Sequence, residues 1–258
     1  MERREFLAGA ALTGAALTTL GATAEEKPVE REYYEHRTYQ LLPGDRNGAI
    51  HAFLENAAIP AWNRAGIGPV GVFTGVYGGE WTHLEVLLTH ASLASYAAAR
   101  ATLAADEEFQ KAGGEFLDTP PNSPNFVRYE TSLMLAFSGM PKLAVPEKKD
   151  RIFELRTYES HSEKFAKKKI EMFNEGGEIA IFLETGLTPV FFGETIAGAR
   201  MPNLTYMVVF DDMPDHDASW AKFVASDKWK ALSGDPQYKD TVSNIHNRIL
   251  KPTAYSQI

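Results

Sequence analysis

The sequence predicts an α+β protein made of two copies of one β-α-β-β-α-β module, each a four-stranded antiparallel sheet with helices on one face. Three observations carry this. First, the chain repeats itself. Tyr33-Tyr34-Glu35-His36-Arg37-Thr38-Tyr39 returns as Ile152-Phe153-Glu154-Leu155-Arg156-Thr157-Tyr158 at a spacing of 119. Ala65-Gly66-Ile67-Gly68-Pro69-Val70 returns as Thr185-Gly186-Leu187-Thr188-Pro189-Val190 at 120, and Glu108-Phe109-Gln110-Lys111-Ala112 lines up with Lys228-Trp229-Lys230-Ala231 near the same offset. Matches in one order at one offset mark a duplicated module of about 110 residues. Second, strand-like and helix-like periodicities follow each other in the same order in both copies. Third, Pro141, Pro146 and Glu147-Lys148-Lys149-Asp150 give residues 141–150 the character of a linker between module one, 30–140, and module two, 151–258.

In module one, Tyr33–Gln40 is β-rich. Asn47–Ala65 places Ile50, Phe53, Leu54 and Ala57 at helical spacing, with Pro60 marking a kink or stop. Pro69–Tyr77 and Trp81–Thr89 read as strands joined by a tight type I′ turn at Gly78-Gly79. Ser92–Ala105 is helical, with Leu93, Tyr96, Arg100 and Leu103 on one side, and Phe126–Phe137 closes the module as a strand. In module two, Ser160-His161-Ser162-Glu163 reads as a capping box ahead of a helix carrying Phe165, Lys169, Met172 and Phe173. Val190–Ile196 and Leu204–Phe210 are strands, and Ala218–Leu232 is a helix with Trp220, Phe223 and Val224. Ile245–Leu250 is a weaker last strand before Pro252. The uncovered sheet faces need burial, and packing them on each other supplies it within one chain.

Composition narrows the chemistry. Of 258 residues 44% are apolar and 11% aromatic, which suits a folded core. The 26 basic and 34 acidic side chains give a net charge of −8, which argues against nucleic acid as a partner. With no cysteine, disulfides, thiolate nucleophiles and Cys-ligated zinc or iron–sulfur sites are excluded. The signature motifs of phosphate loops, dinucleotide folds, zincins and α/β-hydrolases are missing. No cofactor and no metal site is predicted; His36, His51, His90, His161 and His246 remain only formal haem ligands.

The first 24 residues read as an address. Glu2-Arg3-Arg4-Glu5-Phe6-Leu7, the small and apolar run Ala8 to Gly21, and Ala22-Thr23-Ala24 form an export signal with cleavage expected after Ala24. The arginine pair and the Gly- and Thr-rich middle favour the twin-arginine route, so the mature chain is expected in the periplasm or outside the cell. No later apolar run is long enough to span a membrane.

Glu-x-Arg-Thr-Tyr opening each copy, the Gly-x-x-Pro-Val step before strand two and the Phe/Trp-rich segment near the end of each copy resemble the NIPSNAP domain family. The resemblance covers both copies, about 225 residues, and is tighter in module two. It implies ferredoxin-like modules of the dimeric α/β-barrel group, here packed as an intrachain α/β-barrel. Relatives in that wider group include cofactor-free monooxygenases, isomerases and haem enzymes. The family itself has no agreed activity. The expectation is therefore an exported small-molecule binder with a polar barrel cavity. Its alternatives are a cofactor-independent oxygenase or isomerase, and a non-catalytic protein-interaction module whose barrel is packed solid.

Alternation splits the first strand of each module into two faces. Tyr34, His36 and Thr38, matched by Phe153, Leu155 and Thr157, form the more apolar face, expected against the helices. Glu35, Arg37 and Tyr39, matched by Glu154, Arg156 and Tyr158, form the face expected to look into the barrel. Those six are the candidate ligand-binding residues: either Arg37 or Arg156 holds an anion and a tyrosine donates a hydrogen bond, or the Glu–Arg pairs cross the pseudo-twofold and fix how the modules dock. His83 and Glu85 share a strand face and are the candidate catalytic pair, a proton-transfer couple or two metal ligands, against the plainer reading of a half-exposed polar strand. Tyr206 and Val208 are expected at their places in module two. The acidic run Asp211 to Asp217 is expected to cap a helix rather than hold a cation. Lys164, Lys167, Lys168 and Lys169 are expected on a solvated helix face, with Glu163 pairing Lys167.

Overall fold

The alternating strands of module one are β1 (Tyr33–Gln40), β2 (Val70–Tyr77), β3 (His83–His90) and β4 (Arg128–Ala136). Those of module two are β5 (Ile152–Glu159), β6 (Thr188–Ala197), β7 (Asn203–Phe210) and β8 (Asn244–Pro252). All eight close into one barrel in the order β1-β3-β2-β8-β5-β7-β6-β4, with β4 returning to β1. Every pairing is antiparallel, and the module edges meet as β2 with β8 and β4 with β6. Among the described residues, closure leaves no sheet edge unpaired, which removes the liability that two separate four-stranded sheets would carry. This is a computed structural model; it describes residues 30–44, 47–79 and 82–258, so the expected export segment and Trp81 lie outside the described residues.

Helices cover the outer face of each half. Module one carries α1 (Gly48–Phe53), a π-helical stretch over Leu54–Ala58, α2 (Ile59–Arg64), α3 (Leu93–Ala104) and α4 (Glu107–Leu117). Module two carries α5 (Glu163–Asn174), α6 (Glu178–Thr185), α7 (Met213–Ala225) and α8 (Asp227–Ser233). The expected stop at Pro60 is instead absorbed. The chain widens by one residue so that the Ile59 amide bonds the Leu54 carbonyl, and the proline falls in the first turn of α2, where an amide is not needed.

Three expectations are corrected locally. The helix expected over Ala218–Leu232 breaks at Ser226, which caps α8, just as Asp106 caps α4 in module one. The capping box at Ser160 does not form: Ser162 is the N-cap of α5, and the Ser160 hydroxyl donates to the Thr241 carbonyl. The β2–β3 connection runs over residues 78–82 and is longer than a two-residue turn. Its Gly78 has φ +88, and a Cβ there would run into the Asn247 carbonyl of β8.

The buried side chains fall into three cores. Two lie between sheet and helices, around Tyr39, Leu54, Trp62 and Val86 in module one and around Tyr158, Phe173, Phe182 and Tyr206 in module two. The third fills one end of the barrel with Tyr34, Phe73, Leu87, Phe153, Phe191 and Leu250.

Candidate functional site

Alternation along β1 and β5 is as expected, but the two faces are exchanged. Tyr34, Phe153 and Leu155 point into the barrel. Tyr39 and Tyr158 lie in the helix-side cores, and Glu35, Arg37, Glu154 and Arg156 share their faces. The inside of a closed barrel is as enclosed as the space under the helices, so the more apolar face is free to take either side, and the polar pair lies on the helix side, where strand neighbours and, in module two, α7 supply its partners.

There each Glu–Arg pair forms within its own strand and does not cross to the other module. Arg37 Nε is 2.6 Å from Glu35 Oε1, and Arg156 Nη1 is 3.1 Å from Glu154 Oε1. A residue of the fourth strand adds a donor: Thr131 Oγ1 to Glu35 at 3.2 Å, Asn247 Nδ2 to Glu154 at 3.3 Å. Each pair also has an imidazole, supplied from different elements. In module one it is His90 of β3, 3.5 Å from Glu35 and packed on Tyr96 of α3; in module two it is His216 of α7, 3.2 Å from Glu154 and packed on Phe210 of β7. Burial alone would raise the Glu35 carboxyl, but hydrogen bonds and charge from His90 and Arg37 outweigh it and hold it at about 2. Burial pushes the Tyr39 and Tyr158 hydroxyls up. In module two the pair is sealed by Trp220, whose indole N–H donates to Glu154 at 2.7 Å and whose ring lies 4.5 Å from Arg156 Cζ.

The polar space of the barrel is at its other end. Glu85 of β3 is only 1% exposed and has four neighbours there. Thr38 Oγ1 donates to it at 2.6 Å, His36 Nε2 is 2.8 Å away, Arg248 of β8 is ion-paired to it, and His83 Nε2 lies at 3.4 Å. Burial would raise this carboxyl too; His36, Arg248 and Thr38 together lower it to about 2. Glu85 is therefore an anchor for cations and a poor base at neutral pH. Above it opens a cavity of about 430 Å³, whose rim includes Arg128, Arg200, His246 and Glu130. Arg200 holds a left-handed conformation, φ 58, while the Asn203 amide donates to the carbonyls of Ala199 and Arg200 at 2.9 and 3.0 Å. A non-glycine residue kept there costs of order 1 kcal/mol, and it sits on the rim of the cavity. His246 is tied to Glu159 at 2.6 Å.

Of the residues singled out in the sequence, the structure thus brings His83 to the cavity, keeps Glu85 buried behind its wall, and places the six Glu, Arg and Tyr residues outside it. The module-two counterparts of His83 and Glu85 are Asn203 and Thr205, not Tyr206 and Val208, since β3 and β7 begin at His83 and Asn203. Thr157 and Thr205 share a hydrogen bond of 2.8 Å where Thr38 and Glu85 stand in module one, so the charged site is asymmetric. Arg128, Arg200 and Arg248 were missed. Alternation alone puts Arg248 on the face of Leu250, but its partner across the β2–β8 seam depends on barrel closure. Elsewhere, Asp212 caps α7 as expected, accepting from the Asp215 amide at 2.9 Å. Lys169 is not solvated: it is buried against Phe173 and paired with Glu178 at 2.6 Å, while Lys168 pairs with Glu171.

Fold and site together define two ferredoxin-like modules joined as an α/β-barrel inside one chain. The sequence model of the NIPSNAP family matches residues 34–119 and 153–257, and the chain belongs to that family. No curated protein matches it. Among solved structures it is similar to an anthrone oxidase-like protein, at 9% identity and TM-score 0.53, over 88% of this chain and 93% of that one. A candidate monooxygenase from Lactobacillus acidophilus NCFM aligns at 9% identity and TM-score 0.55, over 86% of this chain and 94% of that one. A NIPSNAP family protein from Agrobacterium tumefaciens C58 aligns at 23% identity and TM-score 0.37, over 42% of this chain and 98% of that one.

Proposed function

We propose that this NIPSNAP protein binds a small anionic molecule in the polar end of its barrel. The observation that carries the reading is a cavity of about 430 Å³ lined by Arg128, Arg200 and Arg248, the last ion-paired to the buried carboxylate of Glu85 behind the cavity wall. In a chain of net charge −8, three arginines against the single carboxylate of Glu130 around one concavity favour an anion there. Arg128 and Arg200 have no ion-pair partner among the described residues, so their guanidinium groups are available to a carboxylate or phosphate. The test is a thermal-shift panel of small carboxylates and phosphates. At least one should raise the melting temperature of the parent and leave an Arg128→Glu/Arg200→Glu variant unmoved; a panel that moves both equally, or neither, rejects the reading.

His83 favours a catalytic extension as a cofactor-independent oxygenase or isomerase. Its imidazole, the side chain suited to proton transfer near neutral pH, lines the cavity beside Glu85. The two solved relatives described as oxidase-like and monooxygenase-like lend that extension their fold. Turnover of activated phenols or quinols that disappears in His83→Ala while binding persists would support it. In the same reading residues 1–24 direct the protein out of the cytoplasm by the twin-arginine route; replacing Arg3-Arg4 by Lys-Lys should trap the uncleaved chain inside.

A further inference from the structure

The two modules differ where their later helices cross the sheet. α3 and α7 start from the capping residues Ser92 and Asp212, and α4 and α8 from Asp106 and Ser226, so the helix layers correspond at a constant offset of 120. At that offset Arg100 corresponds to Trp220, Leu103 to Phe223 and Phe109 to Trp229. The bulkier set fills the space over the Glu154–Arg156 pair. Trp220 lies 4.5 Å from Arg156 Cζ and 5.6 Å from the Phe223 ring, and Phe223 lies 4.5 Å from Trp229.

Module one leaves the same place open. A cavity of about 230 Å³ lies over Arg37, walled by Trp62, Leu103, Phe109 and Tyr129, with Arg100 beside it. Glu35 is already matched by Arg37, while Arg100 has no ion-pair partner among the described residues, so the cavity carries surplus positive charge. Arg37 itself lies 5.3 Å from the Trp62 ring and 5.7 Å from that of Tyr129. The walls suit a flat ring and the arginines suit an acid group. In module two a tryptophan of the chain stands where that ring would lie.

We propose that module one has a second binding site, outside the barrel, for a small aromatic carboxylate, and that module two carries Trp220 as a built-in plug of the equivalent site. The ring lies among Trp62, Leu103 and Tyr129, and the carboxylate faces Arg100 and Arg37. The site is separate from the barrel end and stands whether or not that end binds an anion.

The probe is 4-fluorobenzoate, followed by fluorine NMR in a titration of the whole protein. The parent should broaden the probe resonance saturably. Arg100→Trp, which copies module two at an exposed helix position, should abolish this with the melting temperature retained. Arg100→Glu, which keeps the cavity and reverses its charge, should weaken binding by at least about tenfold, and Arg128→Glu at the barrel end should leave it unchanged. Saturable binding that persists in Arg100→Trp, binding lost in Arg128→Glu instead, or no saturable binding by the parent would each overturn the proposal.

Discussion

Arg248, on the last strand of module two, is ion-paired to Glu85, on the third strand of module one. The contact joins residues 163 apart in sequence and crosses the β2–β8 seam, so it ties the closure of the barrel to the charge of its polar end. Removing one partner of a fully buried pair typically costs about 3–5 kcal/mol, but Arg248 is partly exposed and Glu85 keeps His36 and Thr38, so about 1–3 kcal/mol is expected here. Arg248→Ala should therefore lower stability by that order in denaturant melts, while Arg128→Ala, on the exposed rim, should change it by less than about 0.5 kcal/mol. Equal effects would mean that the pair does not hold the seam.

Acid sensitivity should follow from the same carboxylate. The folded-state value of Glu85 lies at about 2, below its ordinary 4.5, because His36, Arg248 and Thr38 overcome burial. A lowered folded value gives stability that is present above about 4.5 and lost as the pH falls from there through about 2. Glu35 acts in the same window. Glu85 alone accounts for about 3 kcal/mol of the loss. Stability measured against pH should fall across this window, and Glu85→Gln should flatten the fall by that amount; a parallel curve would contradict the assignment.

Trp220 can be dissected by one conservative change. Trp220→Phe keeps an aromatic ring near Arg156 but leaves buried Glu154 without its indole donor, and should cost about 1–3 kcal/mol. The measurement is a chemical denaturation series, in which Val224→Ala, an exposed change on the same helix, serves as the reference.

The Lys169–Glu178 pair is wholly enclosed, at 2.6 Å. Lys169→Met should destabilise by about 3–5 kcal/mol, and adding Glu178→Leu should recover most of the loss, because an apolar pair of similar size replaces a desolvated one. A double variant no better than the single one would show that packing around Phe173 and Tyr158, not charge, sets the cost.

Either module alone should fail to stay monomeric. Residues 30–140 without their partner expose the barrel faces of Tyr34, Phe73, Leu87 and Met134 and two open strand edges. Light scattering on the separate module should find a dimer or larger; a stable monomer would mean that the intrachain barrel is not required for burial.

The duplicated module, the succession of its strands and most of its helices were legible in the sequence, because the repeat at an offset near 120 and the hydrophobic period are both written in the order of residues along the chain. The inward face of β1 was not. Tyr34-His36-Thr38 and Glu35-Arg37-Tyr39 are both partly polar, and nothing local says whether the helices or the barrel interior will supply partners. His83 and Glu85 were found because they lie two apart on one strand. Arg248 and Arg200 were not, since one reaches Glu85 only through barrel closure and the other acquires its place from a left-handed turn clamped by Asn203. Lys169 looked like its solvated neighbours until α6 brought Glu178 over it.

By the proposed function, the arginine-lined end of the barrel holds a small anion. This is tested most directly by native mass spectrometry on protein purified from its own host, beside the Arg128→Glu/Arg200→Glu variant prepared in the same way. A non-protein mass is expected on the parent and not on the variant. The same mass on both, or no such mass on either, would contradict it.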